Sequence, residues 1–296
     1  MSIGIRRLSH ALGAEITGVD IREPLSDNAF GEIHAAFLKY QVILFRGQRL
    51  TRKQHIAFSS RFGEPTKLTG VQLEDNDPEY PELLLLRNKF AAKGVGYTGS
   101  EIWHTDKSST LSPPLGSLLR CVELPEVGGD TMFANMYLAY DTLSDGMKAM
   151  LAGLHGIHVG GGGTIDPSTP ERLKKTMRDN LASQPLIRLH PETNRKSLYL
   201  GEKVRQLEGF TSAESAPILQ FLSEHATRPQ FVYRHVWQKD DLLIWDNRST
   251  MHIAVNDYDT DQTRTMERVT IKGSASGHRY EGPIDFPVPG SEFLGR

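Results

Sequence analysis

Positions 103–106 read Trp-His-Thr-Asp. In an extended segment, side chains at i and i+2 point to the same face, so His104 and Asp106 can converge on one metal ion while Thr105 points away. An imidazole nitrogen and a carboxylate oxygen suit borderline-hard ions such as Fe(II). A lone His-x-Asp recurs by chance, and a polar edge at the surface accounts for the pair on its own. A metal reading needs a third ligand from elsewhere. The chain has 11 histidines. His34, His55, His155 and His225 fall in segments of helical pattern, His10 and His278 lie near the ends, and His235 sits in a strand where cross-strand pairing explains it. His252 stands apart. It follows Trp245-Asp246-Asn247-Arg248-Ser249-Thr250-Met251, a strand that leaves the core through a polar turn, and it precedes Ile253-Ala254-Val255. That places it at a strand start beside a polar turn, where the mouth of a site would lie.

Arg264 and Arg268 add a second chemistry. Four apart on an extended segment, they face the same side, and two adjacent guanidiniums repel unless anions lie between or before them. Arginine binds carboxylates bidentately. The alternative is a solvated face paired with Asp and Glu. The four glycines at 160–163 suggest a phosphate cradle or a mobile loop. They lack the Lys-Ser/Thr ending of a phosphate-binding loop, which favours the mobile loop.

The elements that must position these residues follow from periodicity and caps. Ala14–Val19 reads as a strand. Leu25-Ser26-Asp27-Asn28 caps a helix with Phe30, Ile33, Phe37 and Tyr40 along one face. Gln41–Phe45 is a short buried strand, and Thr51 caps a second helix through Phe58. Residues 87–102 form a loop leading into His104. Strands are expected over 116–122 and 130–133. One helix is expected to carry Tyr137, Tyr140, Leu143, Met147, Met150, Leu151 and Leu154. Thr211-Ser212-Ala213-Glu214 is a capping box opening a helix with Ile218, Leu219 and Leu222 inward. Strands return at 230–234, 241–245 and 268–271. Many short strands with a few helices predict a β-sandwich or barrel core decorated by helices, and no linker or repeat divides the chain.

Composition narrows the function classes. The chain has 296 residues, 38% hydrophobic and 24% charged, which is globular rather than disordered. A net charge of −2 gives no general grip on nucleic acid or an anionic membrane, though a local basic pocket for a small anion stays open. The only cysteine is Cys121, so an intramolecular disulfide and a Cys-rich zinc or iron–sulfur site are excluded. No apolar run of signal-peptide or membrane-spanning length is present, and the cytoplasm is the expected location.

Taken in order, His104-Thr105-Asp106, Gly128-Gly129-Asp130-Thr131, Trp245-Asp246-Asn247-Arg248 with His252, then Arg264 and Arg268, resemble the taurine dioxygenase / 2,4-dichlorophenoxyacetate dioxygenase (TauD/TfdA) family. These are Fe(II)- and 2-oxoglutarate-dependent dioxygenases. The similarity starts at Gly13-Ala14-Glu15-Ile16-Thr17-Gly18 and runs to the final strands. It implies an α+β fold with a mainly β core, a double-stranded β-helix (jelly roll) flanked by helices. It also implies a single catalytic domain over 1–296, with an N-terminal αβ segment and a lid or insert around 158–185. By the same resemblance His104, Asp106 and His252 hold the iron, Thr131 donates a hydrogen bond to 2-oxoglutarate, and Arg264 pairs with its distal carboxylate. Arg268 matches the position that binds the anionic group of the primary substrate, and His190 matches another position near the substrate pocket.

Two positions depart from the taurine enzymes. Ser100 stands where they carry asparagine. Their substrate-contacting histidine is missing from Phe62-Gly63-Glu64-Pro65-Thr66-Lys67-Leu68, where Lys67 is the candidate contact. Both remain candidate substrate-binding residues, and taurine itself is disfavoured. The implied reaction uses Fe(II), 2-oxoglutarate and O2. It hydroxylates a small carboxylate or sulfonate, with C–O, C–S or C–N cleavage to follow, and yields succinate and CO2. The expected assembly is a homo-oligomer, a dimer or tetramer, with no nucleic-acid or membrane partner. Two other readings of the residues are a hydrolase whose His/Asp/His site activates water and a non-catalytic small-anion-binding β-sandwich. The hydrolase leaves Thr131 and the arginine pair unexplained.

Overall fold

The continuous apolar run Leu242-Leu243-Ile244-Trp245 builds the centre of the molecule. In the computed structural model, which describes residues 3–68, 77–87, 102–160, 181–259 and 261–285, this stretch is a strand buried on both faces. Leu242 and Ile244 pack with Ile33, Phe37 and Phe58, whereas Leu243 and Trp245 pack with Cys121, Phe133 and Met266. A period of two thus sends one face to helices and the other to a second sheet.

The chain order is β1 (Gly4–Arg7), β2 (Ala14–Thr17), α1 (Asp27–Tyr40), β3 (Val42–Phe45), α2 (Arg52–Ser59), β4 (Leu83–Arg87), β5 (Gly116–Glu123) and β6 (Thr131–Asn135). Then come α3 (Met136–Asp141), α4 (Asp145–Leu151), β7 (His155–Val159), β8 (Leu181–Pro185), β9 (Ile187–Leu189), β10 (Lys196–Leu198) and β11 (Val204–Leu207). The last are α5 (Ser212–Ala226), β12 (Val232–His235), β13 (Leu242–Asp246), β14 (Thr250–Ala254), β15 (Thr265–Ile271) and β16 (His278–Arg279). A seven-stranded sheet runs β1-β2-β3-β13-β5-β15-β4, and a three-stranded sheet, β12-β6-β14, packs against its inner face. Helices α1 and α2 cover the outer face of the large sheet. Leu222 and Ala226 of α5 join Ala134 and Met251 behind the small one. A four-stranded sheet, β11-β7-β8-β16, and the hairpin β9/β10 complete the β structure. The fold is therefore α+β with a mainly β, jelly-roll core whose sheets do not close.

The caps read from the sequence form. Ser26 accepts from the Ala29 amide at the head of α1, and capping boxes with Thr51 and Thr211 open α2 and α5. Three expectations fail locally. The single helix expected over 137–154 is two, because the Ser144 side chain accepts from the Met147 amide and starts α4 afresh. His155 heads strand β7 rather than lying in a helix, since Gly153, at φ 80°, turns the chain out of the helical path. Residues 229–231 form a 3-10 turn headed by Pro229, so β12 begins only at Val232. The loop expected over 87–102 and the glycine-rich stretch of the insert fall largely at 88–101 and 161–180, outside the described residues. Among the described residues no helix is long and apolar enough to cross a membrane.

His158, on β7, is fully buried, and neither ring nitrogen has a hydrogen-bond partner among the described residues. Burial, with Lys203 nearby, pushes its imidazole down from 6.5 to about 3. The unfolded chain then binds the extra proton first, so stability present above pH 6.5 is lost as the pH falls toward 3. His158→Leu is expected to flatten this part of the stability–pH profile, measured by denaturant unfolding between pH 7 and pH 4. An unchanged slope contradicts this placement of the charge.

Candidate metal centre and its anion seats

His104 and His252 meet through one antiparallel bridge. The His104 amide donates to the His252 carbonyl at 3.0 Å, and the His252 amide donates back at 2.9 Å. The bridge holds the two imidazole centroids 4.1 Å apart. His252 lies in the middle of β14, opposite Phe133 on β6, rather than at a strand start. The turn after Trp245 closes early, with the Ser249 amide on the Asp246 carbonyl, so Thr250 and Met251 are already extended. Indole and phenyl rings of Trp245 and Phe133 flank the His252 ring at 4.8 and 6.0 Å.

Past the bridge the chain turns, and Asn247 fixes where Asp106 falls. Its side-chain amide accepts from the Asp106 amide at 2.9 Å and donates to the Asp106 carbonyl at 3.0 Å. Thr105 points the other way, with its hydroxyl on the Leu200 carbonyl at 3.2 Å. Gly201 packs on this segment. A Cβ there would sit 3.1 Å from the His104 Cα, at a φ of +137°, so only glycine allows the approach.

The three side chains are buried, and one ligand atom from each lies within 4.8 Å of the others. Nε2 of His104 and of His252 lie 3.8 and 3.9 Å from Asp106 Oδ1. One ion bonded at about 2.0–2.2 Å spans such gaps. The His104 Nδ1 lies 2.7 Å from the Ile102 carbonyl, which requires the proton on Nδ1 and leaves the Nε2 lone pair for a metal. Burial drives both imidazoles below their ordinary range. Burial would raise the Asp106 carboxyl, but Arg268, the two imidazoles and Lys203 outweigh it and hold it well below the usual carboxylate range. Neutral imidazoles beside a carboxylate are the forms that ligate a metal, so the residues fit Fe(II).

Thr131 and Arg264 meet a few residues away in the fold. The Thr131 hydroxyl oxygen accepts from Trp237 Nε1 at 3.0 Å and lies 3.5 Å from Arg264 Nη2. With both contacts accepting, its own proton is left to donate. Arg264 Nε donates to the Gly129 carbonyl at 2.9 Å. Gly128, at φ 83°, makes that turn possible, since a Cβ there would lie 2.3 Å from the Asp257 carbonyl oxygen. Arg268 lies on the same side of β15, as the spacing predicted, with Nη1 3.1 Å from Asp106 Oδ1. Ser117 donates to Asp106 Oδ2 at 3.1 Å.

The remaining candidates fall elsewhere. His190 is fully buried and uses both ring nitrogens. Nε2 lies 2.9 Å from Asp246 Oδ2, and Nδ1 accepts from the amides of Glu192 and Thr193. No nitrogen remains for a substrate. It ties the 190–194 turn to Asp246, whose carboxylate also holds Arg248. Lys67 is exposed and 3.7 Å from Glu82, a surface ion pair, and Ser100 lies outside the described residues. Sequence reasoning missed Lys203. It lies two residues after Gly201, which packs against His104, is half-buried, and its side chain makes no hydrogen bond or ion pair among the described residues. Burial, then Arg268 and Lys107, push its ammonium down, with Asp106 opposing. A lysine three residues past the apolar run Leu198-Tyr199-Leu200, beyond Gly201 and Glu202, is the available signal.

The comparisons with known proteins agree with this geometry. Residues 4–270 match the family model described as "Taurine catabolism dioxygenase TauD, TfdA family". The chain belongs to the TauD/TfdA family. An alkylsulfatase of Acinetobacter baylyi is 35% identical, over 96% of this chain and 90% of the relative. An alpha-ketoglutarate-dependent 2,4-dichlorophenoxyacetate dioxygenase of Cupriavidus pinatubonensis is 32% identical, over 93% and 99%. A crystal structure of a taurine dioxygenase from Burkholderia xenovorans superposes with a TM-score of 0.79 at 35% identity, covering 96% of each chain. This TauD/TfdA chain is an Fe(II)- and 2-oxoglutarate-dependent dioxygenase, which sets aside the hydrolase and binding-module readings.

The place of His190 makes a prediction. His190→Ala leaves the Asp246 carboxylate short of a buried donor, so the variant is expected to lose about 1–3 kcal/mol in denaturant unfolding with KM for the organic substrate unmoved. A raised KM at full stability contradicts it.

Proposed function

We infer that the enzyme hydroxylates a small organic anion whose acidic group is held by Arg268 and Lys203, while Arg264 and Thr131 hold the distal carboxylate of 2-oxoglutarate. The observation that carries this is the pair of guanidiniums on one side of β15, one beside Thr131 and the other beside Asp106. Two separate cationic seats flanking one metal centre suit two different anions. Bound Fe(II), with 2-oxoglutarate and O2, supplies the oxidising power that converts the cosubstrate to succinate and CO2 and leaves one oxygen atom on a substrate carbon.

The protein's own groups do the rest. His104, Asp106 and His252 would hold the ion. Trp245 and Phe133 line the His252 ring with apolar surface and keep water from it. Arg268 and Ser117 hold the Asp106 carboxylate in place. An anion entering beside Asp106 meets Arg268 and Lys203, whose ammonium has no ion-pair partner among the described residues, and this anchors the substrate by its charged end with its carbon chain left toward the metal. Hydroxylation beside an oxygen, sulfur or nitrogen substituent gives a carbon that collapses to a carbonyl and expels the substituent. The names of the Acinetobacter and Cupriavidus relatives, an alkylsulfatase and a 2,4-dichlorophenoxyacetate dioxygenase, support a sulfate ester or an ether-linked carboxylate as substrate class. One catalytic domain is supported by the large sheet, in which N-terminal β3 and C-terminal β15 flank the β13/β5 pair.

Succinate release measured against phenoxyalkanoates, sulfonates, alkyl sulfates and amino-acid derivatives tests this reading, and no release with any of them overturns it. Arg264→Ala is expected to raise the KM for 2-oxoglutarate about 10- to 100-fold with the substrate KM little changed. Arg268→Ala is expected to do the reverse, and Lys203→Ala to weaken the organic anion by a smaller factor that shrinks at high salt. If the two arginine variants behave alike, the division of seats is wrong.

A further inference from the structure

A second convergence of metal-ligating groups lies on the four-stranded sheet and shares no residue with the centre described above. His155 heads β7, Glu208 follows β11, His278 heads β16, and Ser183 sits on β8 between them. Each of the four neighbouring strands thus gives one side chain to the same patch. Register explains why. His278 is directly opposite Ser183, and the Glu208 amide donates to the His155 carbonyl at 2.9 Å. The side chains interlock: His278 Nε2 lies 3.3 Å from Glu208 Oε2, the Ser183 hydroxyl donates to the same carboxylate, and His155 Nδ1 lies 3.3 Å from that hydroxyl. The His155 and His278 rings are 5.5 Å apart. One ligand atom from each of His155, Glu208 and His278 lies within 4.8 Å of the other two.

We propose that His155, Glu208 and His278 bind a Zn2+ ion, a second and structural metal site that staples β16 to β7 and β11. Two imidazoles and a carboxylate are a zinc donor set, completed by water in the fourth position. Tetrahedral bonds of about 2.0–2.2 Å put ligand atoms roughly 3.3 Å apart, which the His278–Glu208 contact already matches. The open face suits entry of the ion and retention of the water, since the His278 side chain is 54% exposed. The iron centre offers the same donor types, so Zn2+ can occupy both sites, and the second is read by itself once the first is removed. The site also meets a need of the fold. Strand β16 has only two residues and pairs with Ala182 and Ser183 alone. Such a strand frays unless something else holds it, and a metal bonded to His278 ties it to a strand two places away in the sheet.

The test uses the untagged full chain, stripped with chelator and equilibrated with Zn2+ by dialysis. To silence the first site, His104→Ala and His252→Ala are combined. This variant is expected to retain one Zn2+ per chain, and adding His278→Gln or His155→Ala is expected to weaken that binding at least tenfold. In the chain with its iron ligands intact, His278→Gln is expected to lower the Zn2+ count from two to one. Limited proteolysis gives an independent readout: Zn2+ slows cleavage after β8 in the unsubstituted chain and not in His278→Gln. The proposal is overturned if no ion binds once the iron ligands are removed, or if binding and proteolysis are the same with and without His155 and His278.

Discussion

Two backbone hydrogen bonds, exchanged between His104 and His252, are the constraint on which the site depends. They join the His104 segment to the middle of β14, and they hold the two imidazole centroids 4.1 Å apart with the rings tilted by 50°. Everything nearby serves that bridge. Gly201 lets a third segment pack against the His104 backbone, Asn247 clamps the Asp106 peptide from both sides, and Thr105 anchors the opposite face on the Leu200 carbonyl. The three candidate iron ligands are thus set by main-chain geometry, with side-chain rotamers making only the last adjustment.

Charge is arranged with the same economy. Burial keeps both imidazoles neutral, and the cations around Asp106 keep its carboxylate ionised against that burial. The same cations make the approach to Asp106 electropositive. Arg268 is bonded to the Asp106 carboxylate, and a dication bound there would weaken that hold and free the guanidinium for the proposed substrate anion. Arg264 is kept apart by its bond to the Gly129 carbonyl and its place beside Thr131. Separate anchoring of the two guanidiniums gives the proposed cosubstrate and substrate seats different surroundings.

Much of this was legible in the residues, and the parts that were not have physical reasons. The apolar run of Leu242–Trp245 and the caps at Ser26, Thr51 and Thr211 are local signals, and each forms the element it announces. The capping serine at 144 went unseen because apolar residues continue at helical spacing on both sides of it. His252 was expected at a strand start because Asn247-Arg248-Ser249 reads as a long polar turn; buried hydrogen bonds to Asp246 make it short. His190 looked available for a ligand because nothing local shows that Pro191-Glu192-Thr193 folds back onto its Nδ1. Lys203 owes its position to packing against His104, a contact between segments far apart in the chain, and periodicity carries no record of it.

The central claim is that His104, Asp106 and His252 together hold one Fe(II) that also receives 2-oxoglutarate. Anaerobic absorption spectroscopy tests it most directly. Adding Fe(II) and then 2-oxoglutarate to the stripped protein is expected to raise a weak visible charge-transfer band that saturates at one iron per chain and is abolished in His104→Ala and in Asp106→Ala. A band that survives either substitution, or its absence from the unsubstituted protein, would contradict the account.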